Sequence, residues 1–319
     1  MTLRPILACA AMASIACLSG LSQADELAPV KLGIVKFGSV ADVWVADKNG
    51  IFKKHGLDLQ VVEVPATQTV QVLQAKSVDI ALQIPGSAFQ AREQGFDIAL
   101  VGENETAGAQ PPGSNAVIVP ANSTVKTLKD LTGKRLASGS PYGQSLSAIK
   151  EAFQRAGGSF DAVQFVTAPF PTHPDLIRSG QVDAVSSLDP YTTQIVKSGT
   201  GRVVSYFMIE SVPDQPVGSW WSLRSWAADH PREVRAFQDA IKEAQDYMNA
   251  DPARAKKLVA DYTGLDPAVV ADIAPIRWNT AIKIPVWQAV ADMMQRQGQL
   301  QQKHDVSEYL GNVSAYAVK

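Results

Sequence analysis

One phrase occurs twice in this chain. QAKSVDIALQIPGS, residues 74–87, returns as SGQVDAVSSLDPY at residues 179–191. Val78-Asp79-Ile80-Ala81 overlays Val182-Asp183-Ala184-Val185, Leu73 falls on Ile177, Lys76 on Gly180, and Pro85-Gly86-Ser87 on Asp189-Pro190-Tyr191. Each copy reads as a helix end, a turn, a buried strand and a loop of turn-forming and polar residues. Asp after Val is a good turn into a strand, and that alone accounts for a bare echo. The pattern around the two copies makes it more than an echo.

Before the first break the periodicity switches between strand and helix. Val30–Val35, Leu57–Val64, Val78–Gln83 and Ile98–Gly102 read as strands. Helices are expected over Val40–Lys48, after a Thr67 cap, and over Ser87–Gln94. Strands alternating with helices on short connections specify an α/β fold with mostly parallel sheets. Ala107–Ser114, rich in Gly and Pro, interrupts this. A second α/β series follows from Ala116 to Ser205, and then a second break at Val212–Gly218. Beyond it the chain is mainly helical. The simplest topology has the chain build one lobe, cross to a second, and return. Lobe 1 is expected over residues 25–115 plus 214–319 and lobe 2 over 116–213, with hinge segments at about 107–116 and 212–219. Each copy of the repeated phrase then ends at the carboxyl end of a strand, where ligands sit in open α/β sheets.

Composition narrows the chemistry. The chain has 319 residues, is 46% hydrophobic and 19% charged, and carries a net charge of −2. It is long enough for two lobes with packed cores and has no basic tract for nucleic acid. An export signal is expected over residues 1–24: Arg4, an apolar run over 6–21, and Ser22-Gln23-Ala24 before a cut at Ala24/Asp25. A membrane anchor and a lipid-modified Cys17 are the alternatives. The only two cysteines, Cys9 and Cys17, lie in that segment, so thiolate nucleophiles, thiolate metal sites and iron–sulfur clusters are excluded from the mature chain. The phosphate-loop, dinucleotide and nucleophile-elbow motifs are absent. His55, His173, His230 and His304 are scattered, and solvated loop positions are expected for the first three. No metal, cofactor or catalytic residue is expected.

The loops carry hydroxyls, amides, glycines and rings. Ser39 follows the first strand, Ser87 lies at a helix start, and Ser140, Tyr142, Gln144 and Ser145 open the long helix of the middle unit. Unpaired N–H groups at helix starts suit an anion without Lys or Arg. Ser87 and Ser145 serve equally as helix caps. Asp189 either takes a ligand's polar group or caps the helix after it. Trp220-Trp221 lies just past the second break. Neighbours on a strand face opposite ways, so one ring is expected in the core and the other toward the cleft, with Trp44, Phe37 and Tyr142 completing an apolar wall. Arg277-Trp278 is a further candidate by residue type.

NGIFKKHGLDLQVVEV (49–64), LQAKSVDIALQIPGSAFQAREQG (73–95), LKDLTGKRLA (128–137), IRSGQVDAVSSLDPY (177–191) and DHPREVRAFQDAIKEAQDYMNADPARA (229–255) together resemble the periplasmic solute-binding proteins of ABC importers. The similar group handles nitrate, taurine and alkanesulfonates and shares its domain with thiamine-pyrimidine proteins. The resemblance implies a two-lobed periplasmic-binding-protein fold of type II, and a monomer that works in the periplasm with an inner-membrane permease and its ATPase. It also implies ligand contacts at Ser39, Ser87, the 140–145 segment and Asp189, with Trp220 or Trp221 where the chain recrosses. The expected ligand is a small organic anion, a sulfonate or carboxylate. Two departures stand out: these loops hold no Arg or Lys to clamp a sulfonate, and Pro141-Tyr142 puts a ring where a smaller residue is common. Both suggest an aromatic or extended apolar body. The rival functions are an enzyme on the same fold, of menaquinone or thiamine-pyrimidine type, and a periplasmic ligand sensor.

Overall fold

The computed structural model describes residues 26–139, 141–311 and 317–318. The expected signal segment and Ser140 lie outside the described residues. Ten strands and a short edge strand carry the architecture: β1 (Ala28–Ile34), β2 (Leu57–Glu63), β3 (Ile80–Gln83), β4 (Ile98–Thr106), β5 (Asn115–Pro120), β6 (Arg135–Ser138), β7 (Gln164–Thr167), β8 (Ala184–Leu188), β9 (Gly201–Ser205), β10 (Pro216–Leu223) and β11 (Arg277–Trp278). They form a six-stranded sheet in the order β11-β4-β10-β3-β1-β2 and a five-stranded sheet in the order β7-β6-β8-β5-β9. In the first sheet β1 pairs parallel with β2 and β3, and β10 pairs antiparallel with β3 and β4. In the second, β6 pairs parallel with β7 and β8, and β5 pairs antiparallel with β8 and β9. Both sheets thus run second, first, third, an inserted antiparallel strand, fourth.

This matched topology explains the repeated phrase. Asp79 immediately precedes β3 and Asp183 precedes Ala184 at the start of β8, each the third strand of its unit. The Asp79 backbone N–H donates to the Lys31 carbonyl (2.8 Å), and its carboxylate accepts from the Lys31 N–H (2.8 Å). Asp183 does the same with Arg135, at 2.9 and 2.8 Å. The repeated aspartate therefore ties the third strand to the first at the amino end of each sheet. A backbone donor and a carboxylate acceptor satisfy an edge that the ladder leaves open.

Helices cover both faces of the first sheet. Pro231–Asn249 lies on one side, where Phe237 stacks on Phe52 and meets Trp220 edge-on. Pro85–Glu93 and Ile284–Arg296 lie on the other, where Phe89 meets Trp287. The element assignments follow the sequence periodicity closely, with two differences. β4 runs past Gly102 to Thr106, and β10 begins at Pro216, inside the second break. Thr67 does not cap the helix Thr69–Gln74: Gln68 stands at the N-cap without a side-chain bond, and Thr69 instead donates to Gln83 Oε1 (2.8 Å).

The two crossing segments run side by side. Ala107 N–H donates to the Gln215 carbonyl and Asp214 N–H to the Gly108 carbonyl, both at 2.8 Å. Asp214 has a φ of 60°, which a short polar side chain tolerates. Its carboxylate accepts from Thr106 Oγ1 (2.9 Å) and pairs with Lys283.

Candidate functional site

Where the two sheets face each other the structure encloses a cavity of about 260 Å³. Its walls come from strand ends of both sheets, the carboxyl ends of parallel strands and the amino ends of the antiparallel β5 and β10. The first sheet contributes Phe37, Ser39, Gln83, Ser87 and Glu105, and the second Ser114, Asn115, Gln144, Ser145 and Asp189. Thr263, Leu265, Ile273, Ala274 and Ile276 of the C-terminal segment close the side. Apolar walls with a few polar groups are the usual build of a small-molecule site. A groove of about 600 Å³ lies beside the crossing segments, lined by Lys256, Arg277 and Lys283 among others. It is larger, but of the two only the smaller cavity is walled by both sheets' strand ends.

Several expected site residues meet at this cavity. Ser87 and Ser145 each occupy the third position of their helices, Pro85–Glu93 and Gly143–Arg155, and neither helix start has a side-chain cap. Capping is therefore not their role, and both face the cavity. Gln144 joins the two halves: its Oε1 accepts from Gly86 N–H (3.1 Å), and its Nε2 donates to Gln215 Oε1 (2.9 Å) and the Pro216 carbonyl (2.8 Å). Only glycine permits this approach, since a Cβ on Gly86 would lie 2.8 Å from Gln144 Cβ and 2.9 Å from Met294 Sδ. The helix-start N–H groups are partly spent. Gly86 serves Gln144, Ser87 N–H donates to the Ile84 carbonyl, and Gly143 N–H donates to Gln299 Oε1 (2.8 Å).

Asp189 bridges rather than waits. Its Oδ1 accepts from Thr193 N–H (3.1 Å) and Oγ1 (2.7 Å), holding the start of the helix Tyr191–Lys197, while its Oδ2 accepts from Ala274 N–H (2.9 Å) in the C-terminal segment. Burial pushes its carboxyl above the usual range, against these bonds. Asp189→Ala is expected to lower unfolding stability by about 1–2 kcal/mol. Asp189→Asn is expected to recover the Thr193 part only, because its amide NH₂ would face the Ala274 N–H. Denaturant melts of the three proteins check this, and an unchanged midpoint in Asp189→Ala would remove the structural role.

Other expectations fail at this site. Trp220 and Trp221 are both fully buried, and neither lines the cavity. They do point to opposite faces of β10, but helices cover both faces of that central strand. Trp220 packs on Phe237, and Trp221 on Trp287 and Tyr309. Trp44 packs on Tyr262, 6.0 Å between centroids, under Lys48. Tyr142 is 61% exposed and outside the cavity lining, so Phe37 alone of the expected wall remains there. Arg277 lines the outer groove, whereas Trp278 holds the Ser39 loop by donating Nε1 to the Ser39 carbonyl (2.6 Å). His173 is buried rather than solvated, at 3.1 Å from the Ala168 carbonyl. Among the described residues no group of His, Cys, Asp or Glu is placed to hold a metal ion.

Sequence reasoning missed Glu105 and Gln83. Gln83 closes an apolar strand, and Glu105 lies past Gly102, where the fourth strand is expected to end. The only signal was polarity at the carboxyl end: Gln83 closes IALQ, and Glu103-Asn104-Glu105-Thr106 closes β4. Burial raises three carboxyls on and beside β4, of which Glu105 lines the cavity and Asp42 and Glu103 do not. Desolvation pushes Asp42 to about 7 despite bonds to Gln245 and Asn104, Glu103 to about 8 despite bonds to Trp287 and Asn279, and Glu105 to about 7 despite the Ser39 hydroxyl.

The family described as NMT1/THI5 like matches residues 38–255. This chain belongs to that family. A curated relative in Escherichia coli (strain K12), "Putative aliphatic sulfonates-binding protein", is 26% identical over 300 residues, covering 91% of this chain and 89% of the relative. Among solved structures, the periplasmic aliphatic sulphonate binding protein SsuA of Escherichia coli superposes with a TM-score of 0.74 at 21% identity, over 89% of this chain and 97% of the other. The periplasmic nitrate-binding protein NrtA of Synechocystis PCC 6803 does so with 0.69 at 14%, over 92% and 86%. This family member therefore has the periplasmic-binding-protein fold, an α/β architecture of mixed sheets flanked by helices. The relatives named here are binding proteins rather than enzymes, as the sequence resemblance implied.

Proposed function

We propose that this protein is the solute-binding component of an ABC importer, capturing a small organic solute in the cavity between its two sheets. The observation that carries the reading is that cavity, walled by the strand ends of both sheets and by the C-terminal segment. The relatives' names add support: one is an aliphatic sulfonates-binding protein, one a nitrate-binding protein, and another the nitrate import ATP-binding protein of Synechocystis. The same reading includes export to the periplasm and delivery to a permease and its ATPase. No helix among the described residues is long and apolar enough to cross a membrane.

The solute's acidic group, a sulfonate or carboxylate, is held by hydroxyls and amides, with Ser87, Ser145 and Asn115 as the available donors. In the closed form the two halves, residues 25–115 with 214–319 and residues 116–213, touch on both flanks of the cavity. Lys197 pairs with Asp272 at 2.8 Å on one side, and Glu151 accepts from Arg296 and Gln297 at 3.1 Å on the other. Opening turns about the paired crossing segments, and a solute touching both halves favours closure by its difference in affinity between the two forms.

Small-angle scattering of the monomer with and without its tightest compound is the test, with thermal shifts over sulfonates, carboxylates, nitrate and amines to find that compound. A smaller radius of gyration with compound bound is expected. An unchanged profile, with binding indifferent to Gln144→Ala, would overturn the reading.

A further inference from the structure

The polar lining of the cavity is lopsided. Among the described residues no Lys or Arg lines it, whereas the carboxyls of Glu105 and Asp189 do. Both oxygens of Asp189 serve Thr193 and Ala274. Glu105 has the Ser39 hydroxyl as its partner, and the Asp42 carboxyl lies near enough to act on it electrostatically. Gln83 is 3% exposed; its Oε1 accepts from Thr69 Oγ1 (2.8 Å), while its Nε2 has no hydrogen-bond partner among the described residues. A buried amide N–H₂ left unpaired on a cavity wall costs free energy that a bound acceptor would offset.

Register places the two groups together. On β10, Ser219 pairs with Gln83 of β3 and Gly218 with Glu105 of β4. Glu105 therefore stands one β10 residue further along the sheet edge than Gln83, which is level with Glu103; both line the cavity, with β10 between backbones two strand spacings or about 10 Å apart. The wall between them offers a carboxyl acceptor and an amide donor. A desolvated carboxyl with no cationic partner favours an incoming N–H donor. In its ionised form it disfavours a bare anion, which would meet the Glu105 carboxylate with Asp42 close by.

We propose that Glu105 and Gln83 select a solute carrying an N–H donor, an amine or a carboxamide, seated on the Glu105 carboxyl with an acceptor atom of the same solute facing Gln83 Nε2. An acidic group elsewhere on the solute is compatible with this; an anion without an N–H group is not the preferred ligand. The inference rests on the reading of this cavity as the solute site.

Matched pairs that differ in the N–H group test it: taurine against ethanesulfonate, 4-aminobenzoate against benzoate, and benzamide against benzoate, each by thermal shift and titration calorimetry. In the pairs that bind, the N–H member is expected to bind more tightly. Glu105→Gln is expected to weaken that member by about 10-fold or more, and Gln83→Leu to weaken it independently. The ligand-free Glu105→Gln protein is expected to melt no lower than the parent, since a desolvated carboxyl has been replaced by an amide, so lost affinity is separable from lost folding. If the bare anions bind more tightly and Glu105→Gln leaves them unaffected, the selection is overturned while the solute-binding reading stands. If none of these compounds binds, the selection is overturned, and the scattering test decides the solute-binding reading separately.

Discussion

Moving the protein from about pH 5 to about pH 8 is expected to lower its unfolding free energy, with Glu103 contributing most. Burial raises Glu103 to about 8, and Asp42 and Glu105 to about 7. The folded protein thus keeps protons that the unfolded chain releases above about pH 4. Because the native state binds more protons, stability is full below that point and falls as pH rises toward 8. The Glu103 share is on the order of a few kcal/mol, because each tenfold gain in proton affinity on folding is worth about 1.4 kcal/mol. Urea melts across this range check the slope. Glu103→Gln keeps an oxygen for Trp287 Nε1, which donates to Glu103 at 2.7 Å, and removes the charge. It is expected to flatten the slope and to leave the variant more stable than the parent at the alkaline end. A parent melt that is flat or rises over this window would refute the buried-acid account.

The second large effect lies in the tryptophan pair. Trp220→Ala is expected to cost about 3–5 kcal/mol, the range for emptying a buried aromatic site. The ring is fully buried and meets Phe237 at 5.5 Å between centroids and 86° between planes. Trp220→Phe is expected to cost far less, because the indole Nε1 has no hydrogen-bond partner among the described residues and the apolar packing is mostly kept. Solute affinity of Trp220→Phe should equal the parent's, measured by the same calorimetry. A selective loss of affinity in this variant, with its melting point intact, would return the ring to the cleft.

These two predictions also mark how far the sequence could be read. The alternation of strand and helix, the two breaks and the repeated phrase were legible because each is local. Apolar residues recur at the period of their element, and Asp79 and Asp183 perform the same backbone pairing in the same place in two units. The candidate wall at Ser39, Ser87, Gln144, Ser145 and Asp189 was legible because strand-to-helix loops lie at the carboxyl edge of such a sheet whatever their partners.

What the sequence could not supply was the neighbour of each side chain. Trp220 and Trp221 face opposite ways, as strand geometry requires. Whether a face meets solvent, a cleft or a helix depends on the position of β10 in the sheet, and β10 is interior with helices on both sides. Asp189 looked equally suited to ligand or cap until Ala274, distant in sequence, arrived to take its second oxygen. Gln83 looked like an ordinary strand end, and Glu105 lay beyond the expected end of its strand at Gly102. Their unusual state, a desolvated carboxyl near Asp42 and an amide hydrogen without an acceptor, arises only when β4, β10 and β3 are laid side by side and the second sheet closes over them. Periodicity along the chain is set by backbone geometry, which each residue carries with it; desolvation and pairing across strands are set by what the rest of the fold places there.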